Sequence, residues 1–156
     1  MSRDDIPEIH KIEQECFSNP WPLSGFFHLL GNQSADCWVI RCEGQIVGYF
    51  IGLDSGGDYL IANLAVACRW RSRGLASLLL DHALKEIESR EFQRAVLDVR
   101  PSNRKAIRLY SRFGFQAIAR KKNYYSRPPE DSIVMAKRLG TDPATIAGKD
   151  DSRSIS

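Results

Sequence analysis

The stretch Asn63–Leu80, N-L-A-V-A-C-R-W-R-S-R-G-L-A-S-L-L-L, decides the fold. It opens as the end of an apolar strand from Leu60 to Val66. It passes through a basic loop from Arg69 to Arg73, then continues as a helix whose first turn carries Gly74 and Ala76. A strand that feeds a helix through a tight, glycine-containing loop makes an anion site. The first helical N–H groups have no partner inside the helix, and the helix dipole places partial positive charge there. Small residues let the backbone come close to a phosphate. Arg69, Arg71 and Arg73 add positive charge. The pattern R-x-x-G-x-A taken alone fits equally well an ordinary strand–loop–helix connection with a solvated basic loop.

Working outward from that stretch, the upstream chain reads as a meander. Cys37–Cys42 and Ile46–Leu53 are strands joined by a hairpin turn at Glu43-Gly44-Gln45. Ser55-Gly56-Gly57-Asp58 turns the chain into the third strand, Tyr59–Val66. Before the meander, Asp4 or Asp5 can cap a helix with Pro7 near its start, and Ile6, Ile9, Ile12, Cys16 and Phe17 give it an apolar stripe. Ser18-Asn19-Pro20-Trp21-Pro22 is a turn, and Ser24 can cap a short helix through Leu30. Downstream, the helix from Gly74 to about Arg90 places Leu75, Leu78, Leu79, His82 and Ile87 near one face. Ala95–Val99 is a buried strand. Pro101-Ser102-Asn103 starts a helix that runs to Phe113 and is closed by Gly114. Phe115–Ala119 and Ser132–Ala136 are the last strands. The strands on either side of the Gly74 helix should be parallel, with a right-handed crossover. The expectation is a mixed α/β sheet, mostly antiparallel, with helices on both faces. One domain over residues 1–139 is followed by a polar stretch, residues 140–156, read as a mobile tail.

Composition bounds the function. The chain has 156 residues, 43% of them hydrophobic and 26% charged, which suits one soluble globular domain with a real core. No apolar run is long enough to span a bilayer, and M-S-R-D-D-I-P-E lacks the apolar core of a signal peptide. A cytoplasmic protein without a membrane partner is expected. A net charge of +3 allows an anionic ligand but does not argue for direct contact with nucleic acid. Cys16, Cys37, Cys42 and Cys68 form no C-x-x-C pair, and His10, His28 and His82 are scattered, so reduced thiols and no metal site are expected.

With these residues in view, the chain resembles the GNAT superfamily of acetyltransferases. The resemblance lies in the strand L-A-V, the loop R-S-R-G-L-A, the strand L-D-V-R and the helix S-N-R-K-A-I-R-L-Y-S-R-F-G-F. It covers roughly Ile6 to Arg138. Within the superfamily it is similar to the RimI-type ribosomal-protein-alanine enzymes, through E-C-F-S-N-P-W, V-R-P-S-N-R-K-A-I-R-L-Y and K-N-Y-Y-S-R-P-P-E-D-S-I-V-M. Two departures stand out. The superfamily opens with a strand before its first helix, for which Met1 leaves almost no room. It also carries Glu in the L-E-V-R strand, where this chain has Asp98.

The resemblance implies acetyl-CoA as co-substrate and the N-terminal amine of a ribosomal protein as acceptor. An α-amine has a pKa of about 7.7–8.0 and must lose a proton before it attacks a thioester. Asp98 is the implied general base, acting through water, and Tyr110 the implied acid that protonates the departing thiolate. Each has a plainer reading. A strand-end Asp can order a loop or pair with Arg100, and Ala106, Leu109, Tyr110 and Phe113 form a core stripe at helical spacing. Backbone groups of Leu64, Ala65 and Val66 are implied to hold the acetyl carbonyl and pantetheine arm. The segment Arg71, Ser72, Arg73, Gly74, Leu75, Ala76 and Ser77 is implied to hold the pyrophosphate. Asn103 either bonds the cofactor or caps its own helix. Pro20, Trp21, Tyr124 and Tyr125 are the implied walls of the acceptor groove, against ordinary aromatic packing. Cys68 is read as a small loop thiol, since no base stands beside it in the sequence. Rival readings keep the fold and change the acceptor to a lysine side chain or small amine, or reduce the domain to a module that binds CoA or RNA.

Overall fold

A computed structural model describes residues 1–140. Helix α1 spans Ile6–Cys16 and α2 spans Leu23–Leu30. The meander follows as β1 (Ala35–Cys42), β2 (Gln45–Asp54) and β3 (Asp58–Val66). Then come α3 (Leu75–Glu88), β4 (Arg94–Val99), α4 (Arg104–Arg112), β5 (Gln116–Ser126) and β6 (Pro129–Arg138). The six strands form one sheet in the order β1-β2-β3-β4-β6-β5. Every neighbouring pair is antiparallel except β3 and β4, which are parallel as the crossover through α3 demands. No strand precedes α1 among the described residues. The Met1 amine instead donates to the carbonyl of Cys37 in β1, at 3.3 Å.

Two apolar clusters cover the two faces. On one face Ile6, Ile9 and Ile12 of α1 and Phe26 of α2 pack against Ile46, Tyr49, Ile51 and Ala65. On the other, Leu79, Leu80, Ala83 and Ile87 of α3 and Leu109 and Tyr110 of α4 pack against Phe50, Tyr59, Ile61, Val66, Leu97 and Met135. Alternation along β2 sends Tyr49 and Ile51 to the first cluster and Phe50 to the second, so β2 is buried on both sides.

The structure corrects several local expectations. Leu78 lies outside the core face of α3, at 56% exposure, because the buried set runs Leu79, Leu80, Ala83, Ile87. Ser24 sits inside α2, whose cap position is Pro22. Strand β5 does not stop at Ala119 but continues to Ser126, so Lys122–Ser126 is strand and the turn to β6 is only Arg127-Pro128. Of the expected tail, residues 141–156 lie outside the described residues.

Candidate active site

The site begins where the parallel pair comes apart. Strands β3 and β4 are in register only at Asp58–Arg94, Tyr59–Ala95 and Leu60–Val96. Beyond Leu60, β3 runs on to Val66 and β4 to Val99 without a ladder between them. A bulge beside Ala62 adds to the divergence, since Ile51 pairs with Asn63 and Gly52 with Ile61. The edge of β3 that carries Leu64, Ala65 and Val66 therefore faces an opening rather than a neighbouring strand. The Val66 carbonyl already accepts from Arg71 Nε at 3.3 Å and from the Cys16 thiol at 3.4 Å.

Val66 leads into the anion loop. Ser72 and Gly74 both take left-handed backbone angles, φ 61° and 78°. These turn the chain so that α3 starts with its N–H groups bare: no side chain caps it. Among the described residues the amides of Leu75, Ala76 and Ser77 have no backbone partner outside the helix. A Cβ built on Gly74 meets nothing within 4 Å, so the space before α3 is open. The arginines divide. Arg73 stacks on Trp70, 4.7 Å from the ring centroid. Arg71 turns inward to Val66 and to Cys16 Sγ at 3.2 Å, and so braces β3 rather than standing free.

Across the opening, Asp98 lies on β4 opposite Val134 of β6. Its neighbours Leu97 and Val99 enter the α3–α4 core, so alternation sends Asp98 to the other face. There its carboxylate accepts from the buried Ser132 hydroxyl at 2.7 Å and from Lys121 Nζ at 3.1 Å. Asp98 does not pair with Arg100, as one plainer sequence reading held. Arg100 instead bonds Glu130 at 3.4 Å and the carbonyls of Arg127 and Pro128 at 3.0 and 2.9 Å. It thereby fixes the β5–β6 turn, and its guanidinium lies 4.1 Å from the Tyr125 ring centroid.

Tyr110 is 8% exposed and stacks edge-on against Phe115 at 5.7 Å. Burial, and then the nearby Tyr125, push its pKa well above that of a free tyrosine. Tyr125 stands near both catalytic candidates: its own pKa is pushed up to about 12 by burial and then by the charge of Asp98. Tyr124, 51% exposed, meets Tyr125 edge-on at 4.9 Å, with Lys121 Nζ 4.9 Å from its ring centroid. Asn103 caps α4, accepting from the Ala106 amide at 3.2 Å, which is its local role.

The segments that carry the expected walls are joined by one hydrogen bond. Trp21, half-buried, packs on Phe26 at 5.7 Å, and its carbonyl lies 3.2 Å from His10 Nε2. Pro20 precedes it, also half-buried. Ser18 Oγ donates to the Arg127 carbonyl at 2.6 Å and so joins the α1–α2 loop to the β5–β6 turn. The sequence reading gave no role to Ser132, Lys121, Glu13 and Asn63, and gave Arg100 a different partner. Glu13 had left a trace, because it falls in phase with Ile9, Ile12 and Cys16 on the face of α1 that enters the core.

A sheet opened between two parallel strands, with an uncapped helix at the mouth, offers a place for a ligand with an anionic group and an extended arm. The sequence profile of the acetyltransferase (GNAT) family matches residues 6–115, and the chain belongs to that family. Among its relatives is the ribosomal protein bS18-alanine N-acetyltransferase of Salmonella typhimurium, 32% identical over 87% of this chain and 93% of the relative. A Bacillus subtilis protein that carries this name provisionally is 34% identical over 86% of this chain and 90% of its own. The crystal structure of the Escherichia coli ribosomal-protein-S18-alanine N-acetyltransferase superposes with a TM-score of 0.84. It is 28% identical and covers 91% of this chain and 92% of that one.

Proposed function

We propose that this chain transfers the acetyl group of acetyl-CoA to the α-amine of an N-terminal alanine, its acceptor being a small-subunit ribosomal protein. The observation that carries the reading is the open edge of β3, where the ladder to β4 ends at Leu60–Val96 and Asp98 lies beyond its last rung. The names and near-complete overlap of the relatives support the same acceptor.

The pyrophosphate of acetyl-CoA sits on the bare N–H groups of α3, where the helix dipole favours an anion. The thioester lies along β3, and an N–H of Leu64–Val66 stabilises the oxygen that becomes negative on attack. The amine arrives as an ammonium ion. Asp98 takes its proton, directly or through a water. The nitrogen then attacks the carbonyl carbon, forming the C–N bond, and the C–S bond breaks; the second proton that nitrogen sheds in becoming an amide balances the one that Tyr110 gives to the sulfur. Burial keeps the Tyr110 proton in place at neutral pH, so its hydroxyl is a donor to the sulfur as charge builds there. Lys121, 48% exposed, holds the Asp98 carboxylate in the meantime and can swing into solvent when the substrate ammonium replaces it.

The acceptor slot lies between Pro20-Trp21 and Tyr124-Tyr125. A small first residue fits such a slot, and a methylene-scale mismatch costs about 1–3 kcal/mol. The deciding assay compares three acceptors: a peptide beginning with Ala, the same peptide with its α-amine blocked and an internal Lys free, and a polyamine. Fastest acetylation of the first is expected. Faster acetylation of either other acceptor overturns the assignment and leaves the fold intact.

A further inference from the structure

Glu13 is 1% exposed, yet no Lys, Arg or His lies within salt-bridge distance of it among the described residues. A buried carboxylate without a counter-ion persists only where donors surround it. Its donors come from three parts of the fold. The Trp21 backbone amide donates at 2.9 Å from the α1–α2 loop, the Tyr49 hydroxyl from β2, and the Asn63 side-chain amide at 3.0 Å from β3. A neutral amide of the same shape offers one oxygen and two hydrogens, and cannot accept from all three.

Two of these donors belong to the reaction. Trp21 walls the acceptor slot, and Asn63 immediately precedes the open edge Leu64–Val66. We infer that Glu13 is a positioning residue for the acceptor: its carboxylate sets the Trp21 wall against the acetyl-bearing strand. This rests on the acceptor reading above. It assigns Glu13 no contact with acetyl-CoA, whose anion loop lies beyond Val66. A carboxylate that merely held the core together would weaken both substrates alike.

The test separates these outcomes. In Glu13→Gln, KM for the Ala peptide should rise about tenfold while KM for acetyl-CoA stays within about twofold. The double variant Glu13→Gln/Asn63→Asp moves the charge one partner along and restores an acceptor opposite the new amide. Its peptide KM should fall back toward wild type. Should Glu13→Gln not fold, Tyr49→Phe, which removes one donor and keeps the charge, should still raise the peptide KM alone. An unchanged peptide KM, a joint rise of both constants, or a double variant no better than the single one would sink the idea. Hydrogen exchange at the Trp21 amide needs no turnover. It should be slow in wild type and fast in Glu13→Gln, and equal rates overturn the tie even if no peptide is a substrate.

Discussion

At the scale of single residues, Asp98 is one methylene shorter than the Glu of the L-E-V-R pattern it resembles, and it is gripped by Ser132 and Lys121. That grip positions a short side chain that would otherwise sit back against the sheet. Asp98→Asn keeps the shape and removes the proposed base, so kcat should fall by roughly a hundredfold. Asp98→Glu should retain substantial turnover, because the longer arm reaches the same opening. Tyr110→Phe should match the loss in Asp98→Asn, with the acetyl-CoA dissociation constant nearly unchanged in both. Wild-type turnover by Asp98→Asn across the pH range would move the base elsewhere. Neither Ser132 nor Lys121 was legible beforehand, because pairing of β4 with β6, and of β6 with β5, brings them to Asp98 from more than twenty positions away.

At the scale of elements, two glycines make opposite predictions. Gly74 has φ 78° and open space in front of it. Gly74→Glu should remove the thermal stabilisation that saturating acetyl-CoA confers, by filling the phosphate position and adding like charge. Thermal shift with and without acetyl-CoA reads this out, and a full shift in the variant would reject the anion site. Gly52 lies inside β2 where a Cβ would overlap the Tyr59 ring and hydroxyl. Tyr59 is fully buried and donates to Asp36 at 2.9 Å, so it cannot step aside. Gly52→Ala should lower unfolding stability by about 1–3 kcal/mol, measured by denaturant titration, with acetyl-CoA affinity retained. The strands and helices that could be read from sequence were those that carry an apolar run or an apolar period. The full reach of β5 could not be, because it is the edge strand and nearly all of it is exposed. Arg120, Lys121, Lys122 and Asn123 show no apolar period, and basic side chains are what an exposed sheet edge calls for. Glu13 escaped notice for the reverse reason: a charge in an apolar stripe breaks the pattern by which the stripe is found.

At the scale of the whole molecule, charge is unevenly spread. Residues 1–99 hold nine Lys and Arg against fourteen Asp and Glu, whereas residues 100–138 hold eleven against two. Arg104, Lys105, Arg108 and Arg112 line the exposed face of α4, on the same side of the sheet as α3. That field should draw in an anionic cofactor. The rate kcat/KM for acetyl-CoA should fall as salt rises, and Lys105→Glu/Arg108→Glu should flatten that dependence. An unaltered salt slope in the variant would place the steering elsewhere. Stability should also have two pH limits. Backbone hydrogen bonding from Ser102 and Asn123, with help from Arg100 and Arg120, holds Glu130 and Asp131 below the usual carboxylate range. Their contribution is present above about pH 4 and is lost as acid protonates them. Burial raises Tyr49, Tyr59, Tyr110 and Tyr125 above the ordinary tyrosine value. Above about pH 10 the unfolded chain releases these protons and the folded chain keeps them, so stability should fall as pH rises through that range. Denaturant midpoints measured from pH 3 to 11 should trace both limits.

The hydrogen bond from Ser18 to the Arg127 carbonyl would turn the proposed acceptor slot into an arch. A trench admits a cord anywhere along its length, but an eyelet admits only something that has an end. A polypeptide laid sideways, offering a residue from its middle, would have to break that clasp. One that enters tip first would not. Preference for the beginning of a chain would then arise from threading, before any side chain is inspected.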